Sequence, residues 1–175
     1  MTSGSDGPLP GPTSGPIDPG TVAGNAAVGV DVVGISAFAE QLAEPGTRFA
    51  RSFTAGERRA ARAGHDAPRD TRQDTPRDTR REAESLAARW AAKEAVIKAW
   101  SSTCFGHPEV IDPAYVDLRE IEVRSDAWGR PSIRLHGAIA HAMAGYEVRV
   151  SLSHDPAADI AVAFVVLHEP ETRHD

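Results

Sequence analysis

Three polar interruptions of apolar segments hold the residues whose types suit chemistry. Asp31 sits inside Val28-Gly29-Val30-Asp31-Val32-Val33, a β-branched run. A carboxylate in a buried strand is costly unless a cation, a proton or a donor satisfies it, whereas a strand-end Asp that reaches water needs no partner. Glu94 and Lys98 lie one helical turn apart in the segment from Leu86 to Trp100. They read either as an ordinary i,i+4 surface pair, worth about 0.3–0.5 kcal/mol, or as a carboxylate for a hard cation beside an ammonium facing the same cleft. Lys93 is nearer the centre of the apolar stripe, where its stem packs and its head emerges. The third interruption, Ser151-Leu152-Ser153-His154-Asp155, closes an alternating segment. His154 there suits contact with a phosphate, and a turn-forming Ser/His/Asp cluster accounts for the same residues.

Several chemistries lack their spacings. The sequence contains no GxxxxGK[ST], no GxGxxG after the first strand, and no HExxH, CxxC or GxSxG. Two carboxylates with a nearby lysine fit magnesium and a polyphosphate best, because Mg²⁺ favours few protein oxygens together with substrate phosphates and water.

The elements that must position these groups follow from periodicity. Val28–Ile35 reads as a strand, and Ser36 as the cap of a helix that runs to about Ala43 and stops at Pro45-Gly46. Thr54 with Glu57 three residues on has capping-box spacing for a second helix. The long helix is expected from about Arg81, with Leu86, Trp90 and Ile97 within about 40° of one another on its core face. Strands follow at about Glu120–Ser125 and Ser132–Leu135, then a short helix at Ala138–Ala144 ended by Gly145. Two closing strands run from Tyr146, through Val148, Val150 and Leu152, and over Asp159–Leu167. Hairpin-joined strands with inserted helices predict an α+β fold on an antiparallel sheet packed against the long helix.

The chain has 175 residues, a net charge of −6, 13 prolines, 15 glycines and one cysteine. Ten of the first twenty residues are Gly or Pro, so residues 1–27 are expected to be a disordered tail rather than a secretory signal. Residues 65–82 carry five Arg and five acidic residues with a repeat, Pro68-Arg69-Asp70-Thr71-Arg72 and Pro76-Arg77-Asp78-Thr79-Arg80, and read as a flexible insert. Residues 169–175 are expected to fray, leaving one domain over 28–168 with roughly 120 core residues, small enough that oligomerisation helps. No apolar run is long enough to span a membrane. Cys104 alone forms no intramolecular disulfide and no thiolate cluster, so a cytoplasmic location is expected. The acidic balance disfavours nucleic acid as a partner. Against that balance, Arg48, Arg51, Arg58, Arg59 and Arg62 with Glu57 give one stretch a charge of +4.

Taken in order, several blocks resemble the holo-(acyl carrier protein) synthases, the small 4′-phosphopantetheinyl transferases, and in detail their actinobacterial members. These blocks are Val28–Val33, Phe53-Thr54-Ala55-Gly56-Glu57, Leu86–Ala99, Trp128-Gly129-Arg130-Pro131 and Ser151-Leu152-Ser153-His154. The resemblance covers nearly all of Val28 to Leu167. It implies transfer of phosphopantetheine from coenzyme A to a serine of an acyl carrier protein, for fatty acid or polyketide synthesis. It also implies Asp31 and Glu94 as Mg²⁺ ligands, with Lys98 stabilising charge on the pyrophosphate. Arg89, Lys93 and His154 become candidate coenzyme A contacts, with Gly129 and Pro131 near the adenine. As a single half-unit of a fold that larger members duplicate, the chain is expected to form a homotrimer with coenzyme A at subunit interfaces. Two features depart from the family pattern: the first helix carries Glu40 and Glu44 without Lys or Arg, and Ser101-Ser102-Thr103-Cys104 replaces a Gly-Thr-Gly run. The carrier is therefore expected to dock on the arginine patch. The alternatives are a carrier-binding module without catalysis, which would have no need of a metal site, and a nucleic-acid-associated protein using the Arg-rich insert.

Overall fold

In the computed structural model the described residues are 26–63 and 76–169. Nearly all of the Gly/Pro-rich tail, the first copy of the repeat and the residues after 169 lie outside them. The chain runs β1 (Ala26–Gly34), α1 (Ile35–Ala43), α2 (Arg48–Arg51), α3 (Ala55–Arg62), α4 (Pro76–Thr103), β2 (Ile121–Ser125), β3 (Pro131–Leu135), α5 (Gly137–Ala142), β4 (Glu147–Asp155) and β5 (Ile160–His168), with two short 3-10 turns at Pro113–Tyr115 and Leu118–Glu120. The fold is α+β. In the larger sheet β5 is central and antiparallel to both β1 and β4, so the first strand pairs with the last; β2 and β3 form a separate hairpin.

The long helix starts at Pro76, five residues before the expected Arg81. The second copy of the repeat is its first turn rather than loop. Proline suits the first helical position because its missing N–H has no intrahelical partner there, and Asp78 falls where the helix dipole favours negative charge. Arg80 then holds the turn, donating to Glu84 at 3.1 Å and to the Pro156 carbonyl at 3.0 Å.

From Leu86 to Lys93 every residue of α4 is buried. The sheet covers one side, and α1 and α3 cover another. A run of alanines (Ala87, Ala91, Ala92, Ala95, Ala99) lets these neighbours come close. Closest of all is β1: a Cβ on Gly29 would lie 2.0 Å from the Ala95 carbonyl oxygen and 2.7 Å from the Ala99 nitrogen. No side chain fits there, so glycine sets the depth at which β1 beds on α4.

The capping box holds as expected, with Thr54 Oγ1 accepting from the Glu57 N–H and Glu57 accepting from the Thr54 N–H. Ser36 is not a cap. The first turn of α1 is satisfied across the sheet by Asp159, whose Oδ1 accepts from Ser36 Oγ at 2.7 Å and from the Ser36 N–H at 3.1 Å. The sheet face turned away from α4 leaves Val28, Val30, Val32, Ile160 and Phe164 exposed.

Candidate active site

Strand β1 alternates, so the residue two beyond Gly29 also faces α4. That residue is Asp31, and it meets Lys98, whose ammonium donates to Asp31 Oδ1 at 2.7 Å and to the Val30 carbonyl at 3.2 Å. Glu94 is one turn earlier on α4 and half-buried. Asp31, Glu94 and Lys98 line a cleft of about 390 Å³ with Phe38, Arg48 and Trp90. Burial pushes the Glu94 carboxyl above the ordinary carboxylate range, the Asp31 charge adds to it, and Lys98 and Arg48 pull the other way. Two carboxylates thus share a partly desolvated space in which the cations fall short of full compensation.

Glu94, Arg48 and Trp90 also line a second cleft of about 570 Å³, whose opposite wall is Tyr115, Asp117, Leu118 and Arg119. Glu94 therefore stands on the ridge between two openings. The ridge is firm because Trp90 packs against Phe49 at 4.4 Å and Phe38 at 6.1 Å between ring centroids, fixing α1 and α2 on α4.

The structure corrects the expectation for Lys93. Its side chain is wholly buried, and no head emerges. The ammonium donates to Glu57 at 3.1 Å and to the Leu118 carbonyl at 2.9 Å, and also to the Ile121 carbonyl. Its donors are used inside the protein, and no part of the ammonium is open to a ligand in the single chain. Sequence reading missed this because it treated Glu57 only as a cap residue. The available signal was the spacing of Phe53, Glu57 and Ala61, four residues apart and all buried on one face.

Arg89 is also buried. It donates to the carbonyl of Ser85 at 3.0 Å and to the Ser85 hydroxyl, while its Nε is buried without a hydrogen-bond partner. Burial lowers its pKa, with the Glu57 charge opposing. His154 is exposed on β4, opposite Ala161. Gly129 and Pro131 lie at the tip of the β2–β3 hairpin, beside an exposed Trp128 whose ring carries the Arg130 guanidinium at 4.8 Å. None of these four lines either cleft in a single chain. The structure brings together Asp31, Glu94 and Lys98, and it leaves Arg89, Gly129, Pro131 and His154 apart from them.

A carboxylate pair beside an ammonium, on an α+β frame with clefts on both sides, is a site suited to phosphoryl-group chemistry. Comparison with known proteins narrows the class. Residues 27–165 match the ACPS family of the 4′-phosphopantetheinyl transferase superfamily. The holo-[acyl-carrier-protein] synthase of Mycobacterium tuberculosis is 46% identical over 147 residues, spanning 84% of this chain and 99% of its own. That of Nocardia farcinica is 48% identical, spanning 82% and 87%. Among solved structures, the Chronobacterium ammoniagenes ACPS–CoA complex is similar with a TM-score of 0.69 and 41% identity over 84% of this chain and 99% of that one. The chain belongs to the 4′-phosphopantetheinyl transferase superfamily, and within it to the holo-[acyl-carrier-protein] synthases. Among the described residues no helix is long and apolar enough to cross a membrane.

Proposed function

We infer that this protein transfers 4′-phosphopantetheine from coenzyme A to a serine of an apo acyl carrier protein. The observation that carries the reading is the convergence of Asp31, Glu94 and Lys98 on one cleft, in a chain of this family. The serine oxygen forms the new ester bond to the phosphorus that bears pantetheine. The phosphoanhydride bond to 3′,5′-ADP breaks, and the electron pair leaves with that product. Glu94, partly desolvated and raised in pKa, takes the hydroxyl proton directly or through water. The Lys98 ammonium offsets charge on the departing phosphate. Mass spectrometry of an apo carrier protein incubated with coenzyme A, Mg²⁺ and this chain tests the reading: the carrier gains the phosphopantetheine arm. An unmodified carrier refutes it.

The donor set fits magnesium. Asp31 and Glu94 line one cleft, and two carboxylates supply the few hard oxygens that Mg²⁺ takes from protein. Asp31 and Glu94 would hold the ion, and the raised Glu94 pKa is the electrostatic deficit that a divalent cation relieves. When bound, Mg²⁺ supplies neutralisation of phosphate charge.

Arg89, His154, Gly129 and Pro131 belong to the same reading as coenzyme A contacts completed across subunits of a homotrimer. The support is the apolar patch centred on Val30 and Phe164 that the sheet face opposite α4 exposes, with His154 exposed on β4 and the buried Arg89 Nε without a partner in one chain. The arginine patch docks the carrier, supported by Arg48 and Arg51 lining the second cleft with Glu94. The reaction is assigned to the cytoplasm on the similarity to bacterial holo-[acyl-carrier-protein] synthases.

A further inference from the structure

Lys93 is the one wholly buried ammonium among the described residues, and the transfer chemistry does not use it. Its counter-ion Glu57 is equally buried, with Nζ and Oε1 3.0 Å apart. The pair joins four pieces of chain. Glu57 accepts from the Thr54 N–H at 2.8 Å, at the start of α3, and from the Val123 N–H at 3.0 Å, in β2. Lys93 donates to the carbonyls of Leu118, which opens the 3-10 turn, and of Ile121, the first residue of β2 after it. Leu118 lies with Tyr115, Asp117 and Arg119 in the wall facing Glu94 across the second cleft. The residue adjacent to the candidate catalytic carboxylate thus fastens the opposite wall of its cleft.

The ion pair by itself adds little stability, because desolvation consumes most of the attraction of a buried pair. What an ammonium adds is direction: its donors fix where the 118–121 carbonyls sit relative to α4, and Glu57 orients the ammonium. We propose that Glu57 and Lys93 are positioning residues for the transfer reaction, holding the 115–121 wall in register with Glu94. The proposal rests on the transferase reading above.

The test is the double variant Glu57→Leu/Lys93→Met, which refills the space with apolar atoms, measured beside the wild type in the carrier-modification assay. Wild type that fails to modify the carrier refutes the transferase reading, separately from this proposal. With wild type active, the variant should melt lower, because the Thr54 and Val123 N–H groups and the Leu118 and Ile121 carbonyls lose their partners. It should yet stay folded at assay temperature and keep its KM for coenzyme A within about twofold, while kcat per folded molecule falls at least about tenfold, the scale at which small misplacements act. A folded variant with wild-type kcat overturns the proposal. So does a kcat loss matched by a fall in the folded fraction, which marks the pair as structural only. If the double variant does not fold, Glu57→Gln decides. This substitution keeps the shape and one of the two oxygens that accept from the Thr54 and Val123 N–H groups, and removes the charge that orients Lys93. Unchanged kcat in folded Glu57→Gln overturns the proposal, and lowered kcat with unchanged coenzyme A KM supports it.

Discussion

Replacing Gly29 with alanine tests whether the packing of β1 on α4 sets the chemistry. The added Cβ would lie 2.0 Å from the Ala95 oxygen, 2.7 Å from the Ala99 nitrogen and 3.0 Å from the Ala95 carbon, all backbone atoms. No rotamer change relieves contacts with backbone, so strand and helix must separate. Ordinary contact begins near 3.4 Å, so the closest pair has to move apart by about 1.4 Å. The displacement falls on the two elements that carry the site, since Asp31 is two residues beyond Gly29, and Glu94 and Lys98 immediately precede Ala95 and Ala99. The Asp31–Lys98 bond, now 2.7 Å, lengthens or breaks. Overpacking of this kind costs about 1–3 kcal/mol, which lowers the melting temperature by about 3–12 °C in a domain of this size. A 1 Å misplacement around reacting groups costs on the order of 100-fold in rate. Gly29→Ala should therefore retain most of its folded structure by circular dichroism, melt lower, and transfer phosphopantetheine about 100-fold more slowly. A variant with wild-type rate and melting temperature would show that β1 and α4 are not held at the observed depth.

Other perturbations separate the remaining claims. Asp31→Asn and Glu94→Gln should each lose at least about 100-fold in transfer rate, the range for removing a catalytic proton acceptor or its partner, while circular dichroism shows a folded chain; activity persisting in both sinks the site assignment. Because the Glu94 pKa is raised on folding, its contribution to stability is fully present below the ordinary carboxylate range and is lost as pH rises through the raised value. In metal-free buffer at about pH 8, Glu94→Gln should accordingly melt above wild type, with the gap closing in acid, and an equal or lower melting point contradicts a raised Glu94 pKa. Phe164→Glu, on the exposed sheet face, should reduce the mass seen by light scattering to that of a monomer and abolish transfer, and a retained trimer contradicts the assignment of that face. Reversing Arg58 and Arg59 to Glu should raise the KM for the carrier at least tenfold by charge repulsion, roughly the scale of one lost complementary pair, and unchanged carrier affinity removes the docking assignment.

How far the sequence reaches depends on the distance over which each feature is decided. The alternation of Tyr146, Val148, Val150 and Leu152 is local, and β4 lies at Glu147–Asp155. The capping box spans three residues, and it forms as read. Asp159 as the cap of α1 is decided by a partner 123 positions away, and nothing near Ser36 announces it. Lys93 is the sharper case. Helical arithmetic places it on the inner stripe, but a lysine there either sends its ammonium out or has it met inside. The choice depended on Glu57, 36 residues earlier, whose capping role masked its second function. The same limit applies to the site. Residue types left Asp31 open between an exposed strand end and a cation ligand, and the family resemblance together with the fold brought it to Glu94.

The place of the chemistry follows from how α4 is enclosed. A helix wrapped by a sheet and two further helices gains stability only where it is covered, yet reacting groups need an opening. Between Leu86 and Trp100 only Glu94, Ile97 and Lys98 escape full burial, and they lie within one turn on one side of the helix. This strip faces the edge of the sheet, because β1 is an outer strand with β5 on its other side. A central strand would have covered the strip. An edge strand bedded deeply by a glycine leaves it open and still delivers one side chain into it, and that side chain is Asp31. Moving β1 to an interior position, or filling Gly29, would close or displace the opening without touching a reacting group. For that reason the most sensitive positions of this enzyme should include residues that never meet its substrates.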